Sequence, residues 1–209
     1  PILILARGGS KRIKNKNIVD FFGKPLICHA IEKSQKVSKN VFVSSDCEKI
    51  LSISKKNGAK TIERPKHLSQ DMSKSVDGVI HFFEKTNFEH VCLLQATSPL
   101  ISCSHIESGI LKYINEDYDS VISASKEKLY IWNHEGYPLN FDIDLRNRSQ
   151  EHNWNYIENG GFYVSKKSNI IKNKTMFSGN VGFQVVEKIY SIDIDNLEDL
   201  EIAKIIYKE

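Results

Sequence analysis

Residues 2–25, ILILARGGSKRIKNKNIVDFFGKP, decide the fold. They open on Ile2–Ala6, an apolar run of the length of a buried strand, and break abruptly into Arg7, Gly8, Gly9 and Ser10. Lys11, Arg12, Lys14 and Lys16 then place four cations within six residues. Two adjacent glycines after a strand free the backbone for unusual dihedrals and let a ligand approach the N–H groups closely. Cations on the same loop neutralise a polyphosphate, so the local expectation is a triphosphate cradle. Neither G-x-G-x-x-G nor G-x-x-x-x-G-K-[ST] is present. A cationic run of this kind equally suits a solvated surface loop or a nucleic-acid contact.

Downstream of this stretch the pattern repeats. Lys24–Lys36 has Leu26, Ile27, Ala30 and Ile31 at helical spacing behind a proline that suits a helix start. Asn40–Ser45 reads as the next strand, with Asp46 as a candidate N-cap and Gly58 as a stop for the helix after it. A brief strand over Ala59–Ile62 precedes Arg64-Pro65, and Asp71 or Ser73 is placed to cap a helix through Val79, Ile80, Phe82 and Phe83. Val91–Leu94 is a buried strand, Ser104 starts a helix through Ile106, Ile110 and Tyr113, and Ser120–Ala124 is a further strand. Gly160–Val164 reads as a strand, Lys166–Asn173 as a short helix, and Gln184–Ile194 as a strand ending in Asp193-Ile-Asp195. A last helix runs from Asn196, with Glu198 and Asp199 in its first turn. Strand–helix alternation in blocks of this size predicts an α/β fold, a mostly parallel open sheet flanked by helices.

Residues 125–156 lose the periodicity, hold both tryptophans (Trp132 and Trp154), and are expected to form an insertion within a single domain spanning 1–209. Net charge is +3, too small for the whole chain to be a nucleic-acid binder. No apolar run approaches the ~18 residues of a membrane span. The four cysteines form no CxxC pair, and with no signal peptide a reducing, cytoplasmic setting is expected. The seven histidines form no HxxxH or HExxH pair, and His29 and His81 are expected to pack or to face solvent.

In such sheets ligands lie at the carboxyl ends of strands. The basic loop, Ser44-Ser-Asp46, Gln95-Ala-Thr97 and Asp193-Ile-Asp195 all follow predicted strands. Asp193 and Asp195 are two residues apart, which on a strand points both to one side. Such a pair can hold a hard cation through oxygen; alternatively one aspartate caps the following helix and the other is solvated.

Arg7-Gly-Gly-Ser-Lys-Arg-Ile with Lys16-Asn17 resembles the first motif of the acylneuraminate (CMP-sialic acid) cytidylyltransferases, with Lys14 where the family usually has proline. The resemblance implies a Rossmann-like nucleotidyltransferase fold with a small inserted dimerisation subdomain. It also implies that Arg7, Ser10, Lys16 and Asn17, together with Ala6, Gly8 and Gly9, hold the phosphates and ribose of CTP. Arg64-Pro with Leu68, Asp71, Ser75 and Gly78 resembles the family's RP…L..D stretch, where Arg64 and Ser75 read the cytosine. Leu93–Leu100 resembles LLQPTSPLR, with Gln95 near the sugar acid, although Ala96 and Ile101 replace the usual proline and arginine.

Arg148-Ser-Gln-Glu151 and Glu158–Val164 resemble the RRQD…ENGxxY region, so Asn159 and Tyr163 face the sugar and Arg148 its carboxylate. Met176-Phe177 correspond to an apolar pocket for the N-acyl group; core packing is the other explanation for them, and strand alternation for Phe162. Lys128 is a candidate for the lysine that many relatives carry in the insertion. Ser191–Leu200 resembles the DIDT-type motif, whose aspartates, here Asp193 and Asp195, bind Mg²⁺.

Taken over the whole chain, the resemblance implies transfer of CMP from CTP to the anomeric hydroxyl of a nonulosonic acid of sialic or legionaminic type, with Arg7, Lys16 and Asp195 as catalytic residues. Family members are typically homodimers, and no nucleic acid or membrane takes part. The alternatives are a cytidylyltransferase for the eight-carbon 3-deoxy-manno-octulosonic acid, and a non-catalytic α/β module that binds a nucleotide or nucleic acid.

Overall fold

Alternate residues of the first strand serve two different cores. In the computed structural model, which describes residues 1–146, 148, 150–151 and 153–208, β1 (Ile2–Leu5) sends Ile2 and Ile4 to one face of the sheet and Leu3 to the other, all fully buried. Burial on both sides requires a layer of helices on each face. On the first face α1 (Leu26–Val37), α2 (Glu48–Lys56) and α4 (Cys103–Asn115) contribute Ile27, Ile31, Ile50 and Ile106 to the core. On the second, α3 (Ser75–Glu84) and α5 (Lys167–Asn173) contribute Val79, Phe82, Phe83 and Ile170.

The seven-stranded sheet also contains β4 (Val41–Ser45), β5 (Lys60–Glu63), β6 (His90–Leu94), β7 (Ser120–Glu127), β8 (Asn155–Lys166) and β9 (Val181–Val185). Their spatial order is β5-β4-β1-β6-β8-β7-β9. All neighbours run parallel except β8, which is antiparallel to both β6 and β7. The chain winds outward from β1 through β4 to β5, then returns to place β6 on the other side of β1. That reversal opens a crevice at the carboxyl ends of β1 and β6, where an open α/β sheet binds its ligand.

A third core lies beyond the sheet. The short antiparallel hairpin of β2 (Asp20–Phe21) and β3 (Lys24–Pro25) turns through Phe22 and Gly23, whose φ angles are 51° and 77°. Phe21 packs with Ile13, Leu26, Ile194, Leu200 and Ala203, which ties the C-terminal helix α6 (Leu197–Lys208) to the first loop. His29 is buried here and engages the Tyr207 hydroxyl at 3.0 Å and the Phe21 carbonyl at 2.7 Å.

Several expected boundaries move. Asp46 does not cap α2: Cys47 occupies that position, and the Asp46 carboxylate instead accepts the Gly8 N–H at 3.0 Å. Neither Asp71 nor Ser73 caps α3, whose N-cap is Lys74, its N–H bonded to Asp77. Helix α4 starts at Cys103 rather than Ser104, with Ser102 accepting the His105 N–H at 3.2 Å. The strand expected over 184–194 is Val181–Val185, followed by a 3-10 turn over Lys188–Tyr190. Asp193 and Asp195 therefore lie in a connecting segment and not on a strand.

The ends of the segment expected as an insertion, residues 125–156, belong to the sheet, because Ser125–Glu127 pair with Asn155–Ile157. The irregular part between them carries an isolated bridge from Trp132 to Pro138. Asn147, Ser149, His152 and Glu209 lie outside the described residues, so Ser149 of the Arg148–Glu151 motif is not placed.

One glycine marks how tightly the helices meet the sheet. A Cβ on Gly109 in α4 would fall 2.4 Å from Phe162 Cε2, and Phe162 is fully buried. Gly109→Ala gains up to about 1 kcal/mol of helix propensity but overpacks this contact at a cost of roughly 1–3 kcal/mol. Net destabilisation is expected, read as a lower urea midpoint; an unchanged or raised midpoint would show that Phe162 yields freely.

Candidate active site

The crevice is walled by loops that follow strands, by Gly160 and Tyr163 of β8, and by the start of α3 at Ser75. It has a volume of about 420 Å³, and ten of the residues singled out in the sequence line it: Arg7, Ser10, Lys16, Asn17, Arg64, Ser75, Gln95, Tyr163, Asp193 and Asp195. Lys11 and Arg12, expected from sequence as cations for a polyphosphate, line it as well, as do Asp71 and Thr97 from motifs read there without a role in the site. Ser69, Gln70, Lys74 and Gly160 also line it and were given no role from sequence.

The basic loop leaves β1 through Ala6, which is buried and whose N–H bonds the Ser44 carbonyl at 3.0 Å. Asn17 is buried and donates from Nδ2 to the Arg7 carbonyl at 3.0 Å, closing the loop on itself. Ala6, Gly8 and Gly9 do not line the crevice. Neither of these glycines has a positive φ, so the expected unusual dihedrals are absent. Gly8 is needed for space: a Cβ there would fall 2.8 Å from Cys47 Cβ. Its N–H is already taken by Asp46, so the backbone cradle expected over residues 8–10 lacks its first donor. Gly9 is exposed, with open space around it.

Lys16 reaches across the crevice, donating to the Ile194 carbonyl at 2.7 Å and to Asp195 Oδ1 at 3.0 Å. Arg12 holds the other oxygen of Asp195 at 2.6 Å. Burial works against the Asp195 carboxylate, but Lys16 and Arg12 outweigh it and hold its pKa below the usual range. Ile194, fully buried, donates its N–H to the Thr97 carbonyl at 2.8 Å. This anchoring of the residue between them lets both aspartates line the crevice without a strand. Asp193 is open along the crevice yet enclosed by its walls; this desolvation, opposed by Thr97 and Lys16, raises its pKa.

Arg64 is buried at the tip of β5, its N–H on the Ser45 carbonyl at 2.8 Å and its Nε on Ser69 Oγ at 2.8 Å. Burial lowers its pKa from the free guanidinium value. Gly78 leaves the room for it, since a Cβ there would lie 3.0 Å from Arg64 Nη1. Gln95 is fixed through its N–H on the Gly161 carbonyl at 2.9 Å, and Lys33 donates to the Pro99 carbonyl in the same turn.

A second cleft of about 440 Å³ adjoins the first, sharing Lys74, Ser75, Gln95 and Tyr163 with it and adding Glu158, Lys174, Met176 and Phe177. Tyr163 stacks on Phe177 with ring centres 6.4 Å apart and donates its hydroxyl to Glu158. Burial and this carboxylate push the Tyr163 pKa up. Asn159 lines neither cleft: its carboxamide accepts from Ser123 Oγ at 2.6 Å and the Gly161 N–H at 3.1 Å, and donates to Ser191 Oγ at 2.9 Å. Arg148 is exposed on the irregular segment and also lines neither. Lys128, on the same segment, bonds the Gln150 carbonyl and lies 5.1 Å from the Trp154 ring centre.

The lining carries six cations, Arg7, Lys11, Arg12, Lys16, Arg64 and Lys74, against three carboxylates, Asp71, Asp193 and Asp195. A crevice of this sign suits an anionic ligand.

Comparison with known proteins agrees with this geometry. The family model described as cytidylyltransferase matches residues 2–208. A pseudaminic acid cytidylyltransferase of Campylobacter jejuni subsp. jejuni serotype O:2 is 34% identical, with 99% of this chain and 95% of that protein covered. N-acylneuraminate cytidylyltransferase A of Danio rerio is 33% identical over 97% of this chain and 49% of its own length. The solved structure of CMP:2-keto-3-deoxy-manno-octonic acid synthetase complexed with CTP superposes with a TM-score of 0.77 at 17% identity, covering 99% of this chain and 97% of that one. That similarity is one of fold. A match from end to end, relatives one-third identical over nearly the full chain, and a cationic crevice at the sheet's switch point lead to one assignment: the chain belongs to the cytidylyltransferase family.

Proposed function

We propose that the protein transfers CMP from CTP to the anomeric hydroxyl of a nonulosonic acid and releases pyrophosphate. The observation that carries this reading is the meeting of the cationic loop with the acidic C-terminal segment in one crevice, through Lys16 and Asp195. The pseudaminic and N-acylneuraminate relatives support a nine-carbon acid as acceptor.

In this reading the triphosphate lies along Arg7, Ser10, Lys11, Arg12 and Lys16, while Arg64 and Ser75 read the base and Asn17 keeps the loop in shape. The sugar takes the second cleft, beside Gln95 and Tyr163, with its acyl group against Phe177. Asn159 serves by fixing the turn at Gly160 and Gly161. The sugar hydroxyl attacks the α-phosphorus in line, the bond from that phosphorus to the bridging oxygen breaks as pyrophosphate departs, and the hydroxyl proton passes to solvent. Lys16 and Arg7 stabilise the charge that spreads over the phosphate oxygens, a task of preorganised charge rather than proton transfer.

Mg²⁺ suits the acidic pair. Both carboxylates offer hard oxygen donors on the crevice, and Asp193 is the one of the three lining carboxylates without a cation in contact among the described residues. The described residues hold no cluster of three or more His, Cys, Asp or Glu able to bind a metal. Two carboxylates with the remaining positions left to water and phosphate is the usual Mg²⁺ arrangement. When bound, the ion would neutralise phosphate charge beside Asp193 and Asp195.

A homodimer belongs to the same reading. The irregular segment exposes Trp132, Tyr137, Leu139, Ile143, Leu145 and Trp154, more apolar surface than an isolated loop normally shows. If it reaches toward a partner's crevice, Arg148 gains a route to the sugar carboxylate, which suits its planar two-pronged donor. No helix among the described residues is long and apolar enough to cross a membrane. CTP supply places the reaction in the cytoplasm.

CTP incubated with a panel of pseudaminic, legionaminic, N-acetylneuraminic and 3-deoxy-manno-octulosonic acids should release pyrophosphate with at least one nine-carbon acid. Release with the octulosonic acid alone, or with none, overturns the assignment. Lys16→Ala should lower kcat/KM by about 100-fold or more, the scale of one lost preorganised donor; turnover close to the unsubstituted enzyme removes Lys16 from the mechanism. Asp195→Asn should flatten the Mg²⁺ titration of activity while the melting transition stays cooperative, and an unaltered titration would exclude Asp195 as a ligand.

A further inference from the structure

Two cations of the basic loop are already paired with a carboxylate from another part of the crevice. Asp71 stands on the segment between β5 and α3, and its Oδ1 accepts from Arg7 Nη1 at 2.6 Å while its Oδ2 pairs with Lys11. The two residues it engages are 64 and 60 positions away in the chain, and all three line the crevice. One carboxylate presents two oxygens to two cations, as a phosphate group would. Asp71 caps no helix, a task that falls to Lys74 with Asp77. Asp195 makes the matching contact with Arg12 and Lys16. That residue has a further task as a proposed metal ligand, whereas Asp71 has none.

We propose that Asp71 is an intramolecular competitor for the phosphate chain, whose displacement from Arg7 and Lys11 makes the site selective for polyphosphate. This rests on reading the loop as a triphosphate site. A ligand must bring enough negative charge to replace the carboxylate at both cations. Cytidine alone cannot, and after transfer the returning carboxylate competes with pyrophosphate for the same two groups. The cations keep Asp71 ionised, with its pKa below the usual range, so the competition operates throughout the neutral pH range. Its side chain is 38% exposed, so it can swing to solvent without opening the core.

The test is calorimetric titration of the full chain at fixed Mg²⁺ with two probes, inorganic pyrophosphate and cytidine. Asp71→Asn should tighten pyrophosphate binding about three- to tenfold, the scale expected for releasing two partly exposed ion pairs, and leave cytidine binding unchanged. The gain should shrink at high salt, because the competition is one of charge. It should also shrink when the same substitution is made in a Lys11→Met background, where one of the two cations is gone. Pyrophosphate binding that is unchanged or weaker in Asp71→Asn overturns the proposal. So does an equal change for cytidine, which would mean that Asp71 only shapes the wall. Failure of every sugar acid to release pyrophosphate from CTP would overturn the transfer reaction instead, and would leave the pyrophosphate titration to stand or fall alone.

Discussion

One half-buried ammonium group joins the two ends of the chain over the tips of the sheet. Lys16 Nζ donates to the Ile194 carbonyl and to Asp195, and is only 17% exposed, so solvent screens it less than a surface lysine. Arg12 on the other oxygen of Asp195 and Ile13 packed in one core with Ile194 join the same two segments. Ile194 is pinned to Thr97 and so to β6, and the basic loop springs from β1, the neighbour of β6 in the sheet. Lys16 closes the ring. The aromatic packing of Phe21, His29 and Tyr207 performs the same task from behind, holding α6 against the hairpin.

Patterns that one element carries by itself were legible in the sequence. Ile2–Ala6, the periodicity of Leu26, Ile27, Ala30 and Ile31, and the stop at Gly58, whose φ is 83°, all describe local geometry. The parallel α/β architecture followed from their alternation. Readings failed where a side chain had a distant partner. Asp46 and Asp71 look like helix caps because capping is the nearest use for an aspartate before a helix. In the folded chain Gly8 claims one and the Arg7–Lys11 pair claims the other, contacts that no local window contains. The strand expected over 184–194 failed for a related reason: Ile192 and Ile194 alternate with acids as on a strand, but Ile194 packs against α6 and not in the sheet.

The crevice combines features that would be costly apart. Six cations lining one crevice at the carboxyl ends of the strands repel, and three carboxylates among them relieve part of that repulsion. Each of the two paired carboxylates bridges two cations. The loop is thereby kept in position without a bound anion, which reduces the ordering that binding would otherwise require. Asp193 remains as the acid with no cation in contact among the described residues, and its raised pKa follows from that enclosure.

Of the two departures from the family's LLQPTSPLR stretch, the one at Ile101 shows how packing takes over from charge. Ala96 and Ile101 are both buried, at 2% and 1% exposure. Ile101 lies against Gly161 so closely that a Cβ on that glycine would fall 2.8 Å from Ile101 Cδ1. The Gly161 carbonyl is also the acceptor for the Gln95 N–H, so the isoleucine presses on the backbone unit that orients Gln95. On the far side of the turn Lys33 binds the Pro99 carbonyl. An arginine at position 101 would have to bury its guanidinium in this core cluster, at a large desolvation cost, or displace it. The turn that presents Gln95 and Thr97 to the crevice is thus held by an apolar contact from beneath and a lysine from behind, and the absence of the arginine opens no gap in the site.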